Sequence, residues 1–172
     1  AAERIRGIAS AISSSDELGS LMNALEGGFT PAGPVGSQGR GDASVFPTGR
    51  NFYCTDPYSL PSEKAWKTGV RLAEAAVQRY MDDNGAVPES IAVAWIVSDL
   101  SLFSGEIMAQ ILRLIGAEPV RGRNGKAIGF KVIPLEELGR PRIDVLVRVS
   151  GSVKLYYRNC IDLVDDAINA VA

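Results

Sequence analysis

The run Leu-Glu-Glu-Leu-Gly-Arg-Pro-Arg-Ile-Asp-Val-Leu-Val-Arg-Val-Ser-Gly, Leu135 to Gly151, constrains the fold more than any other part of the chain. Leu135 to Leu138 reads as a helical turn, Gly139 as the left-handed residue that ends it, and Pro141 as the residue that holds Arg140 extended. The chain enters Ile143 already straight. From there to Val149, Ile143, Val145, Val147 and Val149 point to one face of a strand while Asp144, Leu146 and Arg148 point to the other. Asp144 and Arg148 lie about 13 Å apart along that strand, too far to pair, so an acid from elsewhere is expected beside Arg148. Ser150-Gly151 closes the strand at the carboxyl edge, where open parallel sheets usually place ligands.

A second strand is signalled by Ile91 to Val97, a continuous apolar run of the kind found where helices cover both faces of a parallel sheet. Ser98-Asp99 closes it. A helix follows from Ser104 to Ile115, with Ile107, Ile111, Leu114 and Ile115 inward and Gly116 as its stop. Short strands at Glu118 to Arg121 and Ala127 to Ile133 flank the turn signal Asn124-Gly125. A last helix from about Asn159 buries Ile161, Val164, Ile168 and Val171. Before all of these, Ser62 caps a helix from Glu63 to about Asp82, stopped by Asn84-Gly85. The expected fold is α/β: a partial doubly wound, flavodoxin-like parallel sheet with flanking helices over residues 61–172.

Residues 1–60 read differently. Glu3 to Ile12 and Asp16 to Leu25 carry apolar stripes at helical spacing, the second capped by Ser15, and both belong to a helical N-terminal segment. From Phe29 to Pro61 no period survives, and Gly and Pro recur throughout. Loops of this length inside a compact domain are either mobile or functional, and Pro47-Thr48-Gly49-Arg50-Asn51-Phe52-Tyr53 is specific enough in shape to predict an ordered loop. The glycines from Gly27 to Gly41 lack the Gly-Lys-[Ser/Thr] ending and the preceding strand of a phosphate loop, and are read as permitting an irregular path.

Composition excludes several functions. A net charge of −2 and a pI near 5.2 argue against a nucleic-acid or anionic-membrane surface. Cys54 and Cys160 have no paired spacing and read as two reduced thiols, which favours the cytoplasm. No apolar run approaches a bilayer span, and Ala1-Ala2-Glu3-Arg4 has neither an initiator Met nor a signal pattern, as expected of a segment of a longer protein. The chain contains no histidine, so it offers no imidazole base and no histidine metal ligand; no metal site is predicted.

Two groups of side chains suggest chemistry. Thr48, Arg50 and Asn51 combine a rigid entry after Pro47 with a guanidinium fork and an amide, suited either to a carboxylate-bearing ligand or to tying the loop to its own scaffold. Glu106, in the first turn of the Ser104 helix, is favoured there by the helix dipole and is also a candidate proton acceptor. Arg140 and Arg142 suit acidic ligand groups or the nearby Glu136, Glu137 and Asp144. A free-standing phosphate binder would instead hold its anion between Ser98 and Ser104.

Gly139-Arg140-Pro141-Arg142-Ile143-Asp144-Val145 with Ser150-Gly151, and Pro47-Thr48-Gly49-Arg50-Asn51, resemble motifs of the large subunits of cobaltochelatase and magnesium chelatase. The resemblance extends from about Leu25 to Ala167, and Arg50 with Phe52-Tyr53 looks closer to the cobalt branch. It implies part of a subunit that binds a tetrapyrrole, a corrin or porphyrin precursor, for insertion of divalent cobalt or magnesium. ATP would be used by separate AAA+ and integrin-like subunits, not by this region. In that setting Thr48, Arg50, Asn51 and Arg142 would contact the macrocycle, and Glu106 would handle the proton or metal. The alternative is a structural and docking module with every ligand group elsewhere. Ser152-Val153-Lys154-Leu155 departs from the family pattern of aromatic residues and an Arg-Asp pair, so any role of that acid is missing here. The leading expectation places Arg50, Glu106 and Arg142 on one concave surface.

Overall fold

The computed structural model describes residues 2–34, 36, 43–52, 54–123 and 125–172. The chain divides into two compact units, Ala1–Thr55 and Asp56–Ala172. In the first, α1 (Ala2–Ser13) and α2 (Glu17–Leu25) both form, yet neither buries a single residue. Their apolar stripes stay open, with Ile5 66% and Leu18 77% exposed. The α2 cap is Asp16, which accepts from the Gly19 N–H, and not the predicted Ser15. Ser15 is engaged elsewhere, as described below.

The second unit begins with α3 (Glu63–Asn84), set between the expected signals: Ser62 accepts from the Ala65 N–H, and Gly85 adopts a left-handed φ of 74°. Strand β1 (Ser90–Trp95) leads into α4 (Val97–Leu102) and α5 (Glu106–Ile115). The hairpin β2 (Ala117–Arg121) and β3 (Ala127–Val132) follows, antiparallel, with an irregular register at Val120/Arg121. Gly125 of its predicted turn is left-handed; Asn124, like Tyr53, Gly39 and Gly41, lies outside the described residues. Then come α6 (Leu135–Leu138), β4 (Asp144–Val149), α7 (Gly151–Tyr156) and α8 (Arg158–Val171).

The mixed α/β layout and the parallel pairing of the two apolar runs are as the sequence predicts: β1 and β4 align Ile91 with Val145, Val93 with Val147 and Trp95 with Val149. Ile91, Val93, Trp95, Val145 and Val147 face the core, whereas Val149 at the end of the strand is exposed. Ala73, Val77, Leu114 and Ile143 pack against Ile91 and Val145, while Trp95, Leu100, Met108, Ile111, Leu112 and Val164 form the larger cluster against Val93 and Val147. Helices α3, α5 and α8 therefore gather on one face of the sheet. The other face differs from the expectation of cover on both sides: Ala92, Ala94, Leu146 and Arg148 are exposed. Alanine satisfies a hydrophobic count without fixing which way it points, so the run Ile91 to Val97 overstated its own burial.

Two short helices escaped the sequence reading. Both α4 and α7 have six residues and start directly at a strand's carboxyl end, too short for a periodic signal.

Candidate functional site

In the first unit the Pro47–Asn51 loop is fastened to the start of α2. Thr48 is the anchor, only 6% exposed. Its N–H donates to Ser15 Oγ at 2.9 Å, its hydroxyl donates to the Glu17 carboxylate, and its carbonyl accepts from the Asp16 N–H at 3.2 Å. Gly49 follows with φ +113°, and a Cβ there would run into the Asp16 carbonyl, so only glycine fits so close an approach. Asn51 donates its amide to the Val45 carbonyl at 2.7 Å, closing the loop over the buried Val45 side chain. Two of the predicted site residues thus shape the loop. Arg50, between them, has its carbonyl bound by the Gly33 N–H at 2.9 Å, while its side chain is exposed. Phe52, two residues on, is 72% exposed.

In the second unit the notable carboxylate is one the sequence reading passed over. Asp99 is completely buried. It accepts from Trp95 Nε1 at 3.0 Å, from the Ile107 N–H at 2.7 Å and from the Met108 N–H at 3.2 Å. Its backbone carbonyl takes the Gly105 N–H at 2.9 Å. The carboxylate therefore caps the first turn of α5 from eight positions upstream of Ile107, a spacing that no capping motif describes. Burial raises its pKa above the ordinary value, with the Glu106 charge adding to the rise, against the lowering effect of the three donors. Glu106 itself is half-buried at the same helix end. The Ile107 and Met108 N–H groups at the start of α5 are thus already taken by a negatively charged side chain, which argues against the anion expected between Ser98 and Ser104 in a phosphate binder.

At the opposite end of α5 two motif arginines bind backbone. Arg142 Nη1 donates to the Ile115 and Gly116 carbonyls at 3.1 and 2.9 Å, and Nη2 to Ile133 at 2.9 Å. Arg140 donates to the Leu114 and Arg113 carbonyls at 3.1 and 2.9 Å. Its Nε lies 3.6 Å from Glu74, within ion-pair reach but too far for a hydrogen bond, while Arg113 contacts Glu74 at 2.6 Å. Burial lowers the Arg140 pKa, with Glu74 opposing. Acid at the amino end and guanidinium at the carboxyl end complement the α5 dipole. Gly116, left-handed at φ +81°, leaves the space that the Arg142 guanidinium fills.

Glu106 and Arg142 are not brought together. Glu106 opens α5 and Arg142 binds beyond Ile115, which puts about 14 Å of helix between the two contacts. Their predicted common surface is therefore not found in this unit. Nor do Glu106 and Arg142 line the cavity of about 590 Å³ that this unit holds between the Pro57–Ser59 turn, β3 and α8. Its walls mix the apolar Leu60, Met108, Phe130 and Leu163 with the charged Lys126, Asp162 and Asp166. Among the described residues no group of three or more acids or cysteines is placed to hold a metal ion, and no helix is long and apolar enough to cross a membrane.

Comparison with known proteins bears on the whole chain. The CobN/Magnesium Chelatase family model matches residues 1–172. The aerobic cobaltochelatase subunit CobN of Sinorhizobium sp. is 39% identical over 158 residues, 91% of this chain and 12% of that protein. The chloroplastic magnesium-chelatase subunit ChlH of Oryza sativa subsp. indica is 40% identical over 159 residues, 91% of this chain and 11% of its own length. A solved structure, the catalytic subunit of cobaltochelatase from Mycobacterium tuberculosis, superposes with a TM-score of 0.76 at 39% identity, covering 90% of this chain and 13% of that one. The chain thus spans about an eighth of the length of these relatives.

Proposed function

Because the chain belongs to the CobN/magnesium chelatase family, we propose that it forms part of the tetrapyrrole-binding region of a chelatase large subunit. The observation that carries this reading is the Arg50 loop. Thr48 and Asn51 hold the backbone, so Arg50 presents its guanidinium without a large loss of order on binding, and the open ring of Phe52 lies two residues away. A planar macrocycle with carboxylate side chains matches that pair: the fork takes a carboxylate and the ring takes a face. Glu106 is the candidate acceptor for the protons that leave pyrrole nitrogens when the metal enters. The divalent metal is substrate, and ATP is used by AAA+ and integrin-like partner subunits.

The test uses the full-length subunit and two free-base porphyrins, one with two propionates and its dimethyl ester, titrated by fluorescence. Arg50→Ala is expected to weaken binding of the diacid by about 1–3 kcal/mol, roughly 5- to 150-fold, and to leave the ester nearly unchanged. Equal affinity of wild type and Arg50→Ala for the diacid removes Arg50 from the site.

The second reading, a docking module with its ligand groups elsewhere, is favoured by Arg140 and Arg142, whose guanidinium groups bind protein carbonyls. It predicts diacid binding that is indifferent to every substitution in the Arg50 loop.

A further inference from the structure

The β1–β4 pair is covered on one face only, and the bare face is not a polar one. Along β1 it presents Ala92 and Ala94, continued by Ile96, which is 49% exposed; along β4 it presents Leu146, which is 74% exposed. The register sets Ala92 beside Leu146 and Ala94 beside Arg148, so two small residues make a shallow trough next to a raised leucine. Ser90 and Asp144 close one end and Arg148 the other, and neither charged side chain has a partner among the described residues. Parallel strands are almost always covered on both faces, because the crossovers that join them lay helices on the sheet. Here the connection from β1 to β4 supplies helices to one side only.

We infer that the bare face is an interdomain contact, occupied by an amphipathic helix from polypeptide outside these residues. The relatives provide the material, since the matched region is about an eighth of their length. The charges describe the occupant. A helix lying along the strands with its apolar side over Ala92, Ala94 and Leu146 brings a basic residue over Asp144 and an acidic one over Arg148. Those points are about 13 Å apart, and the helix spacings that return to one face near that length are seven and eleven residues, about 10 and 16 Å. The inference does not depend on which ligand the family site takes.

Accessibility of single cysteines tests it. Ala92→Cys and, as a second position on the same face, Arg148→Cys are introduced into the full-length natural polypeptide, with Lys67→Cys on the exposed side of α3 as reference. Maleimide modification is followed by mass spectrometry of the peptide carrying each cysteine. Modification at 92 and 148 at least 100-fold slower than at 67, with all three comparable in the 172-residue chain alone, is the expected result. Equal rates at all three positions in the full-length polypeptide overturn the inference. Protection already present in the short chain that disappears on dilution overturns it too, by making a second copy the occupant.

Discussion

Removal of the Asp99 carboxylate tests the account of α5 most directly. Asp99→Ala strands the Trp95 indole N–H and the Ile107 and Met108 N–H groups in a dry interior. A buried unsatisfied donor costs about 1–3 kcal/mol, so three give an upper bound near 9 kcal/mol. Two effects reduce this: the variant no longer buries a charge, and water can enter the space left behind. About 3–5 kcal/mol is expected, a large share of the 5–15 kcal/mol typical of a domain. Asp99→Asn keeps the shape but turns an NH₂ toward one of the donors, for about 2–3 kcal/mol. Guanidinium unfolding followed by tryptophan fluorescence measures both, with Trp95 packed against the substituted group. The pH dependence adds a second readout. The Asp99 pKa is raised in the folded state above its ordinary 3.8, so between those values the folded chain binds more protons than the unfolded one. Wild type therefore gains stability from this group as pH falls through the folded value toward 3.8, and Asp99→Asn does not. The gap between them should widen on acidification. A gap that narrows refutes the raised pKa, and Asp99→Ala within about 1 kcal/mol of wild type refutes the buried cap.

At the other end of the same helix, Arg142→Met should destabilise by about 2–4 kcal/mol, since three carbonyls lose a charged donor; Arg142→Lys should restore less than half, because an ammonium cannot span them as a fork does. The denaturation midpoint decides, and an unchanged midpoint contradicts the clamp. The thiols should differ sharply. Burial pushes the Cys160 pKa up to about 12, while Cys54 is exposed, so Ellman's reagent at pH 8 should count one thiol in the folded chain and two after unfolding.

Much of the fold was legible because its signals are local. Ser62 begins a helix through its side-chain cap, Gly85, Gly116 and Gly139 end theirs through a left-handed backbone, and all four do so here. The parallel pairing was legible in the β-branched residues of Ile91 to Val97 and Ile143 to Val149. What was not legible depends on distant partners. Helix α4 exists where the chain bends at once after Trp95, a bend that lets Asp99 reach both the Trp95 indole and the start of α5, and nothing within Val97–Leu102 announces it. The bare face was hidden for a related reason, that alternate alanines read as core until a neighbouring layer is known.

The motif arginines show where sequence reasoning about sites reaches its limit. An arginine that pairs with an acid leaves two complementary letters in the sequence; one that binds carbonyls leaves a single letter, because every residue has a carbonyl. Arg140 and Arg142 therefore look like ligand groups from the sequence, and become helix clamps once the α5 carboxyl end lies beside them. Arg50 carries the same letter in a similarly motif-rich run, yet its loop is fixed by Thr48 and Asn51 and its own side chain is left exposed. The difference is not in how distinctive each motif is but in what satisfies the guanidinium. Of the three, Arg50 is the one whose removal should alter ligand affinity more than stability, whereas removal of Arg142 should do the reverse.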